Sequence, residues 1–164
     1  MQSIIKIYLF TLRISYGKPS KKLSEKGLTI SSCESLTGGL FASKIVEVSG
    51  ASKVFVGSLI TYMDRCKENL LGGKEILLNH GAISKEMALL MAKETKRKLN
   101  SNIAISFTGN AGPAASENKE VGLVYSCIVI NEETYHFKDV YQGDRNKIRN
   151  CCIIDAIKRI QERI

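Results

Sequence analysis

The chain has 164 residues, 44% hydrophobic and 24% charged, which suits one domain with its own core and excludes a disordered or fibrous chain. No apolar run reaches the ~18 residues of a membrane-spanning helix. The formal net charge is +8, but the basic residues are spread along the chain and aromatics are only 7%, so nucleic acid is not an expected partner, whereas a phosphorylated small molecule is.

Residues 1–17 form an N-terminal extension. Its stretch "SIIKIYLFTLRISYG" is apolar, yet Lys6 and Arg13 interrupt it and no small-residue cleavage site follows, so it reads as a packing helix or an edge strand rather than a targeting segment. "GLTISSC" (27–33) reads as a strand entering the polar turn "ESLTGGL", and "LFASKIVEV" (40–48) places Phe41, Ile45 and Val48 at helical spacing. "KVFVGSLITY" (53–62) reads as a second strand. "DRCKENLLG" (64–72) predicts a short helix with Asp64 as N-cap and Gly72 at its end.

Residues 84–99 carry the clearest helical pattern, with Ser84 as cap, Met87, Leu90 and Met91 as the buried stripe, and Lys96, Arg97 and Lys98 suited to the C-terminal dipole. "NIAISFTGNAGP" (102–113) reads as a buried strand running into a glycine-rich loop. "VGLVYSCIVI" and "TYHFKDVYQ" pair as a hairpin around "NEE", and a last helix starts near Asp144, with Ile148, Cys152, Ala156 and Ile160 on one face. Alternating strands and helices with a late hairpin imply a single α/β layered domain with a mixed sheet.

Five cysteines (33, 66, 127, 151 and 152), odd in number and without a C-x-x-C, fit a reduced, cytoplasmic setting. His80 and His136 are far apart, no metal-ligand spacing is present, and His80 reads as a packing or capping residue. "GGKE" lacks the residues of a phosphate-loop NTPase.

Chemistry is expected at loops 32–39 and 108–115, both following predicted strands, where ligands of open α/β sheets bind. "SLTGG" (35–39) sets Ser35 and Thr37 at a helix start, so they read equally as helix caps. If Ser35 is a nucleophile it needs a base, and with so few histidines that base is a lysine. S-x-x-K occurs at Ser3/Lys6, Ser15/Lys18 and Ser116/Lys119, none in a strand-turn-helix setting. Lys67 is the better partner, with Tyr62 at the preceding strand end and Arg65 close enough to favour its neutral form, although spacing alone also fits a surface lysine.

"CESLTGGL" (33–40), "VFVGSLITYMDRCKENLLG" (54–72), "HGAISKEMALLMA" (80–92), "SFTGNAGP" (106–113), "VGLVY" (121–125) and "GDRNKIR" (143–149) together resemble, in order and spacing, the CinA C-terminal domain family of nicotinamide-nucleotide amidohydrolases, from about residue 18 to the end. The resemblance implies a three-layer α/β/α domain over 18–164 with a mixed, mostly parallel sheet. It implies hydrolysis of the carboxamide of nicotinamide mononucleotide to nicotinate mononucleotide and ammonia. No metal or organic cofactor is implied, and self-association is. By position in the family motifs, Ser35 corresponds to the nucleophile, Lys67 to the base, Tyr62 to a nearby tyrosine and Thr108 to a hydroxyl beside the site. Thr37, Gly38, Gly39 and Gly109 are expected to line the pocket, and Arg145 to meet the phosphate. The chain departs from the pattern at Leu36, Asn110, Ala114 and Ala115; the two alanines replace glycines, and would reshape the loop if those positions need positive φ. An inactive nucleotide-binding member of the fold and a basic nucleic-acid-associated module stay open as alternatives.

Overall fold

The computed structural model describes residues 20–164. The expectations for residues 1–17 therefore lie outside the described residues. Helical residues 20–25 (α1) lead into β1 (Ile30–Glu34) and α2 (Leu40–Val46); then come β2 (Phe55–Ile60), α3 (Asp64–Leu71), α4 (Lys74–His80) and α5 (Lys85–Leu99). The chain closes with β3 (Ile103–Gly109), β4 (Leu123–Ile130), β5 (Glu133–Val140) and α6 (Arg145–Gln161).

The sheet order is β2-β1-β3-β4-β5. β1 pairs in parallel with β2 and β3, and β3–β4 and β4–β5 are antiparallel, so four of the five strands point one way and β4–β5 is the expected hairpin. The hairpin turns at Asn131, whose φ of 52° is a left-handed conformation that asparagine tolerates.

β3 shows why this is a three-layer α/β fold. Ile103, Ile105 and Phe107 enter a core with Phe41 and Ile45 of α2 and Ile148, Ile153 and Ile157 of α6. Residues alternate across a strand, so Ala104, Ser106 and Thr108 meet the other layer, where the Ser106 hydroxyl donates to Ala88 O (2.6 Å) of α5. Small residues on that side let α5 lie close. On the same side, Met87 and Met91 of α5 pack with Cys33 of β1 and Leu71 of α3.

Local rules set most boundaries. The Ser84 Oγ accepts from Met87 N (3.1 Å) and Asp144 Oδ1 accepts from Lys147 N (2.8 Å), so both expected caps are present. Gly72 ends α3 in a left-handed conformation, φ 69°. Asp64 is not the N-cap of α3; that position is Met63, and Asp64 lies in the first turn. α4 was not expected: its sequence KEILLNH fully buries no residue and rests only the adjacent Ile76 and Leu77 on the core, too little for a helical stripe to show, and His80 ends it in an exposed position.

Candidate active site

The three parallel strands β2, β1 and β3 end side by side, and the segments that follow them enclose a cavity of about 230 Å³. Ser35 and Leu36 come from the end of β1, Tyr62, Asp64 and Lys67 from the β2–α3 segment, and Thr108, Gly109, Asn110 and Ala111 from the end of β3. Ala82 and Ile83 before α5, Ser116 and Glu117, and Arg145 at the start of α6 complete the wall.

Lys67 is 1% exposed. Its Nζ donates to the Tyr62 carbonyl (3.3 Å) and to Asp64 Oδ1 (3.2 Å). A buried ammonium needs such partners, and the carboxylate comes from Asp64. Arg65, expected beside it, is exposed and is not part of the cavity wall.

Glu34 sits immediately before Ser35 and is fully buried. Its carboxylate, not Ser35 or Thr37, caps α2: it accepts from the N–H groups of Gly39 (3.0 Å), Phe41 (3.1 Å) and Ala42 (2.9 Å). The N-cap position itself is Gly39, φ 93°, with no side chain to offer. The turn is closed by Gly38 N to Ser35 O (3.1 Å) and Leu40 N to Thr37 O (3.2 Å).

Two pieces of polar architecture hold the remaining wall. Thr108 Oγ1 donates to Ala82 O at 2.5 Å. Glu117 accepts from Ala82 N (2.8 Å), Ile83 N (3.2 Å) and Lys119 Nζ (2.9 Å), and Lys119 also donates to Ile83 O (2.6 Å). Lys119 is thus bound to the wall, and no hydrogen bond joins it to the Ser116 hydroxyl. Burial alone would push the Glu117 carboxyl up, but the Lys119 ammonium and the Ile83 and Ala82 amides outweigh it and hold the group below its ordinary range. Across the mouth, Arg145 donates to Gly112 O (2.6 Å) and to the Tyr62 hydroxyl (2.7 Å). Burial pushes the Cys33 thiol up, against smaller opposing effects of Thr61, Thr95 and Lys67, which leaves it a neutral core residue.

A family model for the CinA C-terminal domain matches residues 17–164. The chain belongs to the CinA C-terminal domain family. It is 40% identical over 144 residues to a relative from Oceanobacillus iheyensis named for competence-damage induction, covering 87% of this chain and 34% of that protein. It is 35% identical over 144 residues to the MG115 homolog of Mycoplasma pneumoniae, covering 87% and 92%. The chain spans about a third of the length of several curated relatives, including those from Oceanobacillus and Thermoanaerobacter. Among solved structures, the competence/damage inducible protein CihA of Agrobacterium tumefaciens superposes with a TM-score of 0.87 at 32% identity, over 91% of this chain and 93% of that one. A CinA superfamily protein of Escherichia coli gives 0.90 at 22% identity, over 93% and 90%, a likeness of fold.

Of the residues that the family pattern singles out, Ser35, Tyr62, Lys67, Thr108, Gly109 and Arg145 share the cavity. Thr37, Gly38 and Gly39 do not line it. Thr37 is fully buried, its carbonyl accepts from Arg149 (2.7 Å), and Gly38 faces the same guanidinium. The physical reason is the closed turn, whose Gly39 amide belongs to Glu34. Gly109 is required by proximity, since a Cβ there would collide with the Leu123 carbonyl of β4. Ala114 and Ala115 adopt ordinary negative-φ backbone; the loop places its left-handed residues at Gly112, Glu117 and Asn118 instead.

Glu34, Asp64 and Glu117 were missed from sequence. Glu34 acts through helix-start amides and Glu117 through groups distant in the chain, which no short motif encodes; Asp64 pairs with Lys67 at i,i+3, a spacing that the sequence does carry.

Proposed function

We propose that this chain hydrolyses the carboxamide of nicotinamide mononucleotide, giving nicotinate mononucleotide and ammonia. The observation that carries the reading is the meeting of Ser35 with a buried lysine, Lys67, in one cavity at the ends of the parallel strands. The family membership and the ordered motifs support it; the fold alone would not.

In this mechanism Lys67, its ion pair with Asp64 opened and one ammonium proton given up to solvent, takes the hydroxyl proton as a neutral amine while Ser35 Oγ attacks the carboxamide carbon. The oxyanion is received by backbone N–H groups after Ser35. Such a donor contributes about 3–4 kcal/mol in a serine hydrolase. Lys67 returns the proton to the leaving nitrogen, ammonia departs, and water releases the nicotinoyl group from Ser35 as the acid. Arg145 supplies a cation at the mouth suited to the substrate phosphate. Thr108, hydrogen-bonded to Ala82, holds the wall and takes no proton. Self-association, which the family resemblance implies, belongs to the same proposal, with a symmetric homo-oligomer as the form expected.

The test is product analysis with nicotinamide mononucleotide and with free nicotinamide. Equimolar ammonia and nicotinate mononucleotide are expected from the first, and little ammonia from the second. Absence of both products from the nucleotide would refute the assignment.

A further inference from the structure

We infer that Glu34 is a positioning residue of this site, fixing which backbone amides remain to receive the oxyanion. The inference rests on the reading of Ser35 as nucleophile.

Glu34 is the last residue of β1 and is 0% exposed, yet no cation pairs with it among the described residues. Burying a carboxylate costs several kcal/mol unless hydrogen bonds replace its water. Here they do. Three backbone N–H groups donate to it, as does the Ser58 hydroxyl (3.3 Å), which itself accepts from Ser32 (2.9 Å). An ordinary Ser or Asp at the N-cap would satisfy one or two amides without a buried charge. This chain instead has a glycine at the N-cap and a carboxylate five residues upstream.

The consequence appears amide by amide. Ser35 N donates to Phe107 O (3.0 Å), Gly38 N to Ser35 O and Leu40 N to Thr37 O. Gly39, Phe41 and Ala42 donate to Glu34. From Ser35 to Ala42, only the N–H groups of Leu36 and Thr37 have no hydrogen-bond partner among the described residues. The Thr37 hydroxyl is likewise buried without one. Leu36 lines the cavity beside Ser35. Glu34 therefore takes the helix-start amides out of play and leaves one unpaired N–H on a residue that lines the cavity, that of Leu36, directly after the nucleophile. Neighbouring residues at a strand end point to opposite faces, so the carboxylate anchors α2 on one side of the sheet while Ser35 lines the cavity with Lys67 on the other.

The test uses the full chain and a fluorophosphonate, which forms an Oγ–P bond at an activated serine with loss of fluoride and of the hydroxyl proton. In the wild-type adduct the phosphoryl oxygen stands in for the oxyanion. The ¹H–¹⁵N signal of Leu36 is expected to shift on labelling, and those of Gly39, Phe41 and Ala42 to stay. The reverse pattern overturns the role of Glu34, and this arm needs no variant to fold. Glu34→Gln keeps the shape but turns an N–H group towards the amides. It is expected to lower kcat for carboxamide hydrolysis about 100-fold, with KM within about threefold of wild type, and to slow labelling of Ser35 in parallel. A folded Glu34→Gln protein that is less heat-stable but keeps wild-type kcat makes Glu34 a helix cap and nothing more. Failure of wild type to label at Ser35 overturns the nucleophile reading itself, and is distinguished from the other outcomes by mass spectrometry of the intact chain.

Discussion

Lys67 Nζ stands 3.2 Å from Asp64 Oδ1, and the two side chains are 2% and 63% exposed. One partner is buried in the cavity wall and the other can swing into solvent. In the proposed mechanism this pair must open and the ammonium must give a proton to solvent, because only the neutral amine has a lone pair to offer Ser35. Asp64→Asn keeps an acceptor at the position and removes the charge. It is expected to raise kcat/KM by roughly two- to tenfold at neutral pH, measured as initial rates of ammonia release; a tenfold fall would show that the carboxylate takes part in turnover.

Lys67→Met keeps the apolar stem and deletes the ammonium. Turnover is expected to fall by about 10²–10⁴-fold, the usual contribution of a positioned base. Thermal stability is expected to stay level or rise, since a buried charge is replaced by a side chain of similar volume and Asp64 remains hydrated. Melting temperature and ammonia release on the same preparations check both halves.

Thr108 separates structure from chemistry. Its hydroxyl is committed to the Ala82 carbonyl, so Thr108→Ser should retain both fold and activity. Thr108→Val leaves that buried carbonyl unpaired and is expected to cost about 1–3 kcal/mol, read by denaturant unfolding. Loss of activity in Thr108→Ser would assign the side chain a part that this hydrogen bond does not explain.

The fold was legible because its strongest signals are local. Ser84 and Asp144 cap helices where hydroxyl and carboxylate residues are expected to, Gly72 ends α3, and the stripe Ile148, Cys152, Ala156 and Ile160 is buried throughout. α4 failed because it is two turns long and rests only the adjacent, partly buried Ile76 and Leu77 on the core, too short a pattern to show a helical period. At the site, motif residues with their own backbone elements were found: Ser35 after β1, Lys67 in α3, Thr108 in β3. What the motif could not convey is direction. "SLTGG" reads as one polar, flexible stretch, yet Ser35 enters the cavity while Gly39 gives its amide to Glu34. A capping carboxylate that lies in a strand, upstream of the turn, follows none of the usual spacings.

Arg145 bridges the Tyr62 hydroxyl and the Gly112 carbonyl through two different nitrogens. A lysine offers a point charge and cannot span both at these angles. Arg145→Lys is expected to raise KM for the nucleotide about tenfold while kcat stays within about threefold, since the proposal sets this group at the phosphate and not at the reacting carbon. An unchanged KM would remove Arg145 from substrate binding.

Glu117 gives the wall a pH dependence of known sign. A carboxyl held below its ordinary value of 4.5 in the folded chain adds stability in full above that value, and the contribution is lost as pH falls through the folded-state value. The stability difference between wild type and Glu117→Gln is therefore expected to be constant at neutral pH and to shrink from about pH 4.5 downward. Melting temperatures of both proteins across that range test it. A difference that grows with acidification would contradict the assigned direction.

The central claim is that Ser35 carries out carboxamide hydrolysis on nicotinamide mononucleotide. It is tested most directly by ammonia release from that compound by wild type and by Ser35→Ala, each shown to be folded. The expected result is steady turnover by wild type and a loss of about 10³-fold or more in the variant. Equal release by the two proteins, or none by folded wild type, would contradict it.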